Sequence, residues 1–132
     1  MMEELDRRFL QSQKVYFRAR EQFDQGEFRR ALILLRESWE LHEHPPTAYW
    51  MGECHRYLKN DVAAEEWLRR AHQMRPEQAT YAVGYGRFLM DRARFDEATD
   101  IAVATIVRSP NFEPAHKLLE ITHQRRAAAD PA

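Results

Sequence analysis

Apolar side chains recur at intervals of three and four along almost the whole chain, the spacing that places them on one face of a helix. Leu5, Phe9, Tyr16, Ala19 and Phe23 form the first such stripe, which Gln25-Gly26 ends. Phe28, Ala31, Leu32, Leu35 and Trp39 form the second, over residues 27–41, before Pro45-Pro46 interrupts it. A helix over 48–58 with Thr47 at its N-cap is predicted next, then a partner over 61–73 capped by Asp61. Beyond Pro76 the pattern predicts helices over 78–93 and 95–108 and a stop at Ser109-Pro110. A last helix over 114–126 begins at Pro114, a residue suited to a first turn, and 127–132 is expected to be a frayed tail. No segment alternates apolar and polar residues as a strand would.

The pattern also repeats at long range. Residues 26–38 return at 59–71 and again at 93–105, with Ala31, Ala64 and Ala98 at the same point of each copy, 33 and then 34 residues apart. Such a period implies a helix–turn–helix unit that buries its apolar face only by stacking on neighbours. Gly84 and Gly86 fall inside a predicted helix, where each costs about 1 kcal/mol relative to alanine. Gly52 and Ala19 hold the corresponding place in the earlier copies, which points to close approach of a neighbouring helix. A phosphate loop is argued against, because no strand precedes these glycines.

In these residues the chain resembles the tetratricopeptide repeats, over roughly residues 12–112. The second copy carries Ala48, Met51, Gly52, Ala64, Leu68, Ala71 and Pro76; the third carries Ala82, Tyr85, Gly86, Ala98, Ala102, Thr105 and Pro110. The first is degenerate, with Val15, Arg18, Ala19, Ala31, Leu35 and Ser38 and no proline at Glu43, and all three lack the family's usual tryptophan. The resemblance implies an all-α, right-handed superhelical stack of about three hairpins in a single domain. Its parts would be an N-terminal helical extension (3–11), repeats over 12–45, 46–78 and 79–112, and a capping helix over 114–126. Glu120 stands where a fourth repeat would need glycine or alanine, whereas Ala115, Leu118, Leu119 and Thr122 give the last helix one face to bury.

The resemblance further implies that the first helix of each hairpin lines a concave, partner-binding surface. The positions that map there are Tyr16, Arg20, Phe23 and Asp24; Tyr49, Glu53, Arg56 and Tyr57; Val83, Arg87, Met90 and Asp91; and, from the cap, Lys117, Ile121 and Gln124. The binding set is Tyr16, Arg20, Phe23, Tyr49, Glu53, Arg56, Tyr57, Arg87 and Met90, rich in the tyrosine and arginine that anchor interfaces, with Phe23 the one most suited to the core instead. The ligand expected is a protein or peptide segment whose acidic groups meet arginine forks. Family members that grip acidic chaperone C-termini use a lysine and asparagines at set points, where this chain places Tyr16, Arg20, Tyr49, Glu53, Thr80 and Gly84. That clamp is expected to be missing. A small three-repeat protein with an N-terminal extension also resembles secretion chaperones that hold export substrates. There the extension often dimerises; Leu5, Phe9 and Leu10 either do the same here or fold onto the first repeat.

Composition narrows the chemistry. The chain of 132 residues has 20 basic and 21 acidic residues and a formal net charge of −1, so no long-range field draws it to nucleic acid or an anionic membrane. Arginine outnumbers lysine 17 to 3, but Glu65–Arg69 and Glu66–Arg70 stand four apart and neutralise one another along a helix face, so an RNA-associated subunit is the weaker alternative. The single cysteine, Cys54, permits no internal disulfide, and its neighbour His55 diverges from it around a helix. His42 and His44 lie two apart near a helix end, a poor chelate, and the helix dipole alone favours histidine there. No catalytic spacing, cofactor motif, metal set, leader peptide or membrane span is recognisable. The sequence therefore predicts a cytoplasmic, non-catalytic interaction module with no cofactor and no metal.

Overall fold

The computed structural model describes residues 1 and 3–129, and among them all regular secondary structure is helical, with no strand. The helices are α1 (Glu4–Asp24), α2 (Phe28–Leu41), α3 (Pro45–Tyr57), α4 (Asp61–Met74), α5 (Ala79–Asp91), α6 (Phe95–Arg108) and α7 (Glu113–Ala129). They form two compact units, Met1–Ala71 and His72–Ala132.

Within the first unit, α1 and α2 pair as an antiparallel hairpin on which α3 packs. Glu3 holds the N-cap position of α1, and residues 4–11 are continuous with the rest of that helix. Ser12 and Ser38, both fully buried, fasten the hairpin: the Ser12 hydroxyl donates to the Ser38 carbonyl (2.8 Å) and the Ser38 hydroxyl to the Ser12 carbonyl (2.9 Å). Arg8 reaches across to donate to the carbonyls of Glu40 and Leu41, two of the orphan acceptors at the end of α2. The core behind them is Tyr16, Ala19, Ala31, Leu32, Leu35, Met51 and Cys54.

The second unit pairs α5 with α6, and α7 packs on both. Its core is Leu89, Met90, Ala98, Ala102 and Leu118, with Phe95, Ile101, Leu119 and Ile121 against it. Ala115, Leu118 and Thr122 are buried on α7 while Glu120 is exposed. Arg125 and Arg126 pair with Asp91 and Asp96 at 2.7 and 2.6 Å, bridges exposed enough to be worth less than about 1 kcal/mol each.

Several helix boundaries differ from the sequence expectation, three of them at residues with a role expected from the sequence. Helix α3 starts at Pro45, because two prolines fit the first turn, where their missing N–H groups have no partner to lose. Thr47 therefore lies inside the helix, buried, and does not cap it; His44 holds the N-cap position. Asp61 is the first residue of α4, and the Asn60 carbonyl accepts its first backbone bond, from Ala64. Ala127–Ala129 continue α7, so the expected tail is helical up to 129; residues 130–132 lie outside the described residues.

Each hairpin turn places one residue in the left-handed region: Gly26 at φ 78°, Lys59 at φ 65° and Ala93 at φ 61°. They fall on the sequence repeat, so the backbone keeps one turn geometry where only the first copy has the residue best suited to it. Left-handed backbone costs a non-glycine residue about 1–2 kcal/mol. Ala93→Gly is therefore expected to raise stability by about 0.5–1 kcal/mol, and Gly26→Ala, with open space around its missing Cβ, to lower it by about 1 kcal/mol in urea melts.

The helical glycines separate in a second test. A Cβ on Gly52 would stand 2.6 Å from Leu68 Cγ and 3.0 Å from the Leu68 backbone nitrogen, whereas one on Gly86 meets a Leu118 methyl at 2.5 Å, the far end of a side chain that can rotate, and an Ile101 methyl at an ordinary 3.4 Å. Gly52→Ala should cost about 1–3 kcal/mol, and Gly86→Ala should be close to neutral once the helix gains alanine. Equal losses in thermal melts would contradict this packing.

Candidate functional site

The first unit gathers most of the expected binding residues on α1 and α3. Phe23 lies at the centre of an aromatic cluster, edge-on to Trp50 (4.8 Å between centroids), Phe28 (5.1 Å) and Tyr57 (5.7 Å). Phe28 and Tyr57 stack at 4.4 Å with planes 4° apart, and Tyr49 meets Trp50 edge to face at 5.1 Å. Two arginines close the cluster: the Arg20 guanidinium sits 3.7 Å above the Trp50 ring, and that of Arg56 4.5 Å above Tyr57. Arg56 Nε also donates to Glu53 at 2.7 Å, and Arg20 reaches the Tyr16 hydroxyl at 3.5 Å. These contacts fix two long cationic side chains before any ligand arrives, which lowers the ordering cost of binding.

What each residue offers a ligand differs. Tyr57 is 47% exposed and Arg20, Phe23, Tyr49 and Arg56 are half-buried, while Tyr16 and Glu53 are largely covered. Sequence reasoning missed two members, Trp50 and Phe28. Trp50 follows Tyr49 directly, and Phe28 stands on the second helix of its hairpin; the aromatic run Tyr49-Trp50 was the signal available for the first.

In the second unit, Arg87, Met90 and Asp91 of α5 and Lys117, Leu118, Ile121 and Arg125 of α7 line a shallow groove of about 310 Å³. Met90 is buried in its floor, Arg87 is exposed, and Asp91 accepts from Arg125 at 2.7 Å. An apolar floor flanked by arginine and lysine suits an apolar side chain with an acidic neighbour. The repeat register also corrects the comparison with the acidic-peptide clamp. Gly52 and Gly86 hold equivalent places, so the counterparts of Tyr49 and Glu53 are Val83 and Arg87, not Thr80 and Gly84. Two of those positions, Arg20 and Arg87, therefore carry an arginine.

The remaining chemical candidates are structural. Cys54 is fully enclosed, and burial, with the Glu53 carboxylate beside it, pushes its thiol up to about 12, so it is not a nucleophile. His42 and His44 pack around the Phe9 ring at 5.1 and 6.5 Å. Among the described residues no three histidine, cysteine or acidic side chains converge as a metal site would require. No helix among them is long and apolar enough to cross a membrane.

No protein-family model and no curated protein matches the chain by sequence. Solved structures do. The first tetratricopeptide domain of Spaghetti (RPAP3), bound to an HSP90 peptide, superposes with a TM-score of 0.80 at 16% identity, covering 88% of this chain and 93% of that one. The Sgt2 tetratricopeptide domain from Aspergillus fumigatus gives 0.81 at 17% identity, over 92% and 85%. The Yersinia enterocolitica type III secretion chaperone SycD, in complex with a peptide of the translocator YopD, gives 0.76 at 13% identity, over 86% and 93%. The chain thus has the tetratricopeptide-repeat fold, an all-α helical repeat.

A buried histidine, His55, and a half-buried one, His72, are expected to give the fold a pH dependence. Burial, reinforced by Arg36, holds His55 below the ordinary value of 6.5; burial, reinforced by Arg108, does the same for His72. Both therefore take up a proton at lower pH in the fold than in the unfolded chain, which protonates below about 6.5. The unfolded state then binds more protons, so stability falls as pH drops through that value and is fully present above it. Urea midpoints should fall between pH 7.5 and 5.5, and by less in a His55→Gln, His72→Gln double variant. An unchanged slope in that variant would assign the effect to other groups.

Proposed function

We propose that the protein is a non-catalytic, cytoplasmic interaction module that holds a peptide segment of a partner protein on the faces of its first helices. The observation that carries this reading is the preorganised arginine–aromatic surface on α1 and α3, with Arg20 held over Trp50 and Arg56 over Tyr57. Tyrosine, tryptophan and arginine supply large contact area and directional polar atoms at little entropic cost. The α5–α7 groove is a second contact point, with Arg87 and Lys117 disposed toward acidic groups. Peptide-bound relatives of the same fold support the reading, and the repeat boundaries 12–45, 46–78 and 79–112 belong to it. Affinity for a single short segment is expected at the micromolar level, on the order of −8 kcal/mol.

The test is selection from a random peptide library, followed by calorimetry on the selected peptides. A Tyr49→Ala, Arg56→Ala, Arg87→Ala variant, shown to be helical by circular dichroism, should bind them at least tenfold more weakly. Equal affinity for wild type and variant would remove the concave-face reading.

A homodimer through the N-terminal half of α1 belongs to the secretion-chaperone version of this proposal. It is favoured by Leu5 at 79% exposure, with Phe9 and Leu10 also open, which continue the stripe that Ser12, Tyr16 and Ala19 bury. Light scattering should then give a dimer mass that Leu5→Glu, Leu10→Glu converts to a monomer. A monomer at every concentration refutes this version alone.

A further inference from the structure

The internal repeat supplies a template for a cavity that the groove reading does not use. In the first unit Trp39 of α2 and Trp67 of α4 meet edge to face, centroids 5.1 Å apart. The Arg70 guanidinium lies 4.9 Å from the Trp67 ring and 5.5 Å from that of Trp39. One repeat later, 33 residues after Trp39 and 34 after Trp67, the chain has His72 and Ile101. Where the earlier copy holds two indoles, these smaller side chains line an open-sided cavity of about 230 Å³. Ala104, the counterpart of Arg70, lines it as well.

We infer that this cavity is a docking site for an indole, brought by a tryptophan of a partner chain, which takes the place that the protein's own tryptophans fill one repeat earlier. The volume fits: an apolar cavity of ~150 Å³ accepts benzene, so the site has room for a bicyclic ring. The chemistry of the lining fits too. Arg108 supplies a cation for the π face, as Arg70 does in the first unit. Asp100 and Glu77 supply carboxylates that can accept the indole N–H, a group that only donates. His72 Nδ1 is buried with no hydrogen-bond partner, so it offers a further polar contact.

The test uses the whole chain, ¹⁵N-labelled, titrated with N-acetyl-tryptophanamide and separately with free indole. Both are expected to shift the His72, Ile101 and Ala104 amides saturably. Ile101→Trp, which places the chain's own indole where Trp67 stands in the earlier repeat, should weaken binding at least tenfold. Arg108→Ala should weaken it several-fold without loss of helix content. Absence of saturable shifts, or shifts of undiminished affinity in Ile101→Trp, overturns the site. Should that variant not fold, unchanged affinity in Arg108→Ala overturns it instead. Binding of free indole without the capped tryptophan overturns the partner assignment in favour of a small-molecule site. None of the residues altered belongs to the α1–α3 surface, so failure here leaves the peptide-binding reading standing, and the reverse.

Discussion

Close approach of helix backbones is the constraint on which the rest of the structure depends. Two helices can come within one side-chain layer only where one of them offers almost no side chain. Gly52 provides that place for Leu68 and Gly86 for Leu118, while Ser12 and Ser38 exchange hydroxyl–carbonyl bonds where two small side chains meet. Fully buried alanines at 19, 31, 48, 64, 71, 98, 102 and 115 do the same elsewhere. Because the backbones are brought together this tightly, the large residues are displaced to the flanks of the hairpins. Aromatic and arginine side chains then collect on faces instead of in the centre, and those are the faces proposed to meet a partner.

The flanks are held by a different kind of interaction. Each guanidinium over a ring is worth about 0.5–1 kcal/mol at an exposed site, too little to determine the fold. Its effect is on order: Arg20 and Arg56 would otherwise carry much rotamer freedom into a binding event. The α1–α3 surface is therefore rigid aromatic support with two oriented cations, and the α5–α7 groove is softer, with methionine, isoleucine and a solvent-exposed Asp91–Arg125 pair.

The fold was legible in the sequence because its determinants are local and repeated. Ala31, Ala64 and Ala98 mark the period, and Gly26, Lys59 and Ala93 mark the turns, so each copy corroborates the others. The site was legible only as a set of helix positions. That Tyr16, Arg20 and Phe23 share a helix face follows from 3.6-residue periodicity; that Arg20 lies on Trp50 depends on the approach of α1 to α3, which no short-range pattern encodes. The same holds for Arg8, whose role at the end of α2 links residues more than thirty apart. Thr47 shows the opposite error: a good capping residue was overruled by two prolines better suited to start the helix.

The enclosure of Cys54 has a consequence for how the molecule can be watched. It is the sole thiol of the chain, fully covered in the core of the first unit, and only a thiolate reacts readily with alkylating or disulfide reagents. Modification must therefore wait for α3 to part from its neighbours. The native cysteine is a built-in chronometer for breathing of that unit, readable without adding a label or altering a residue.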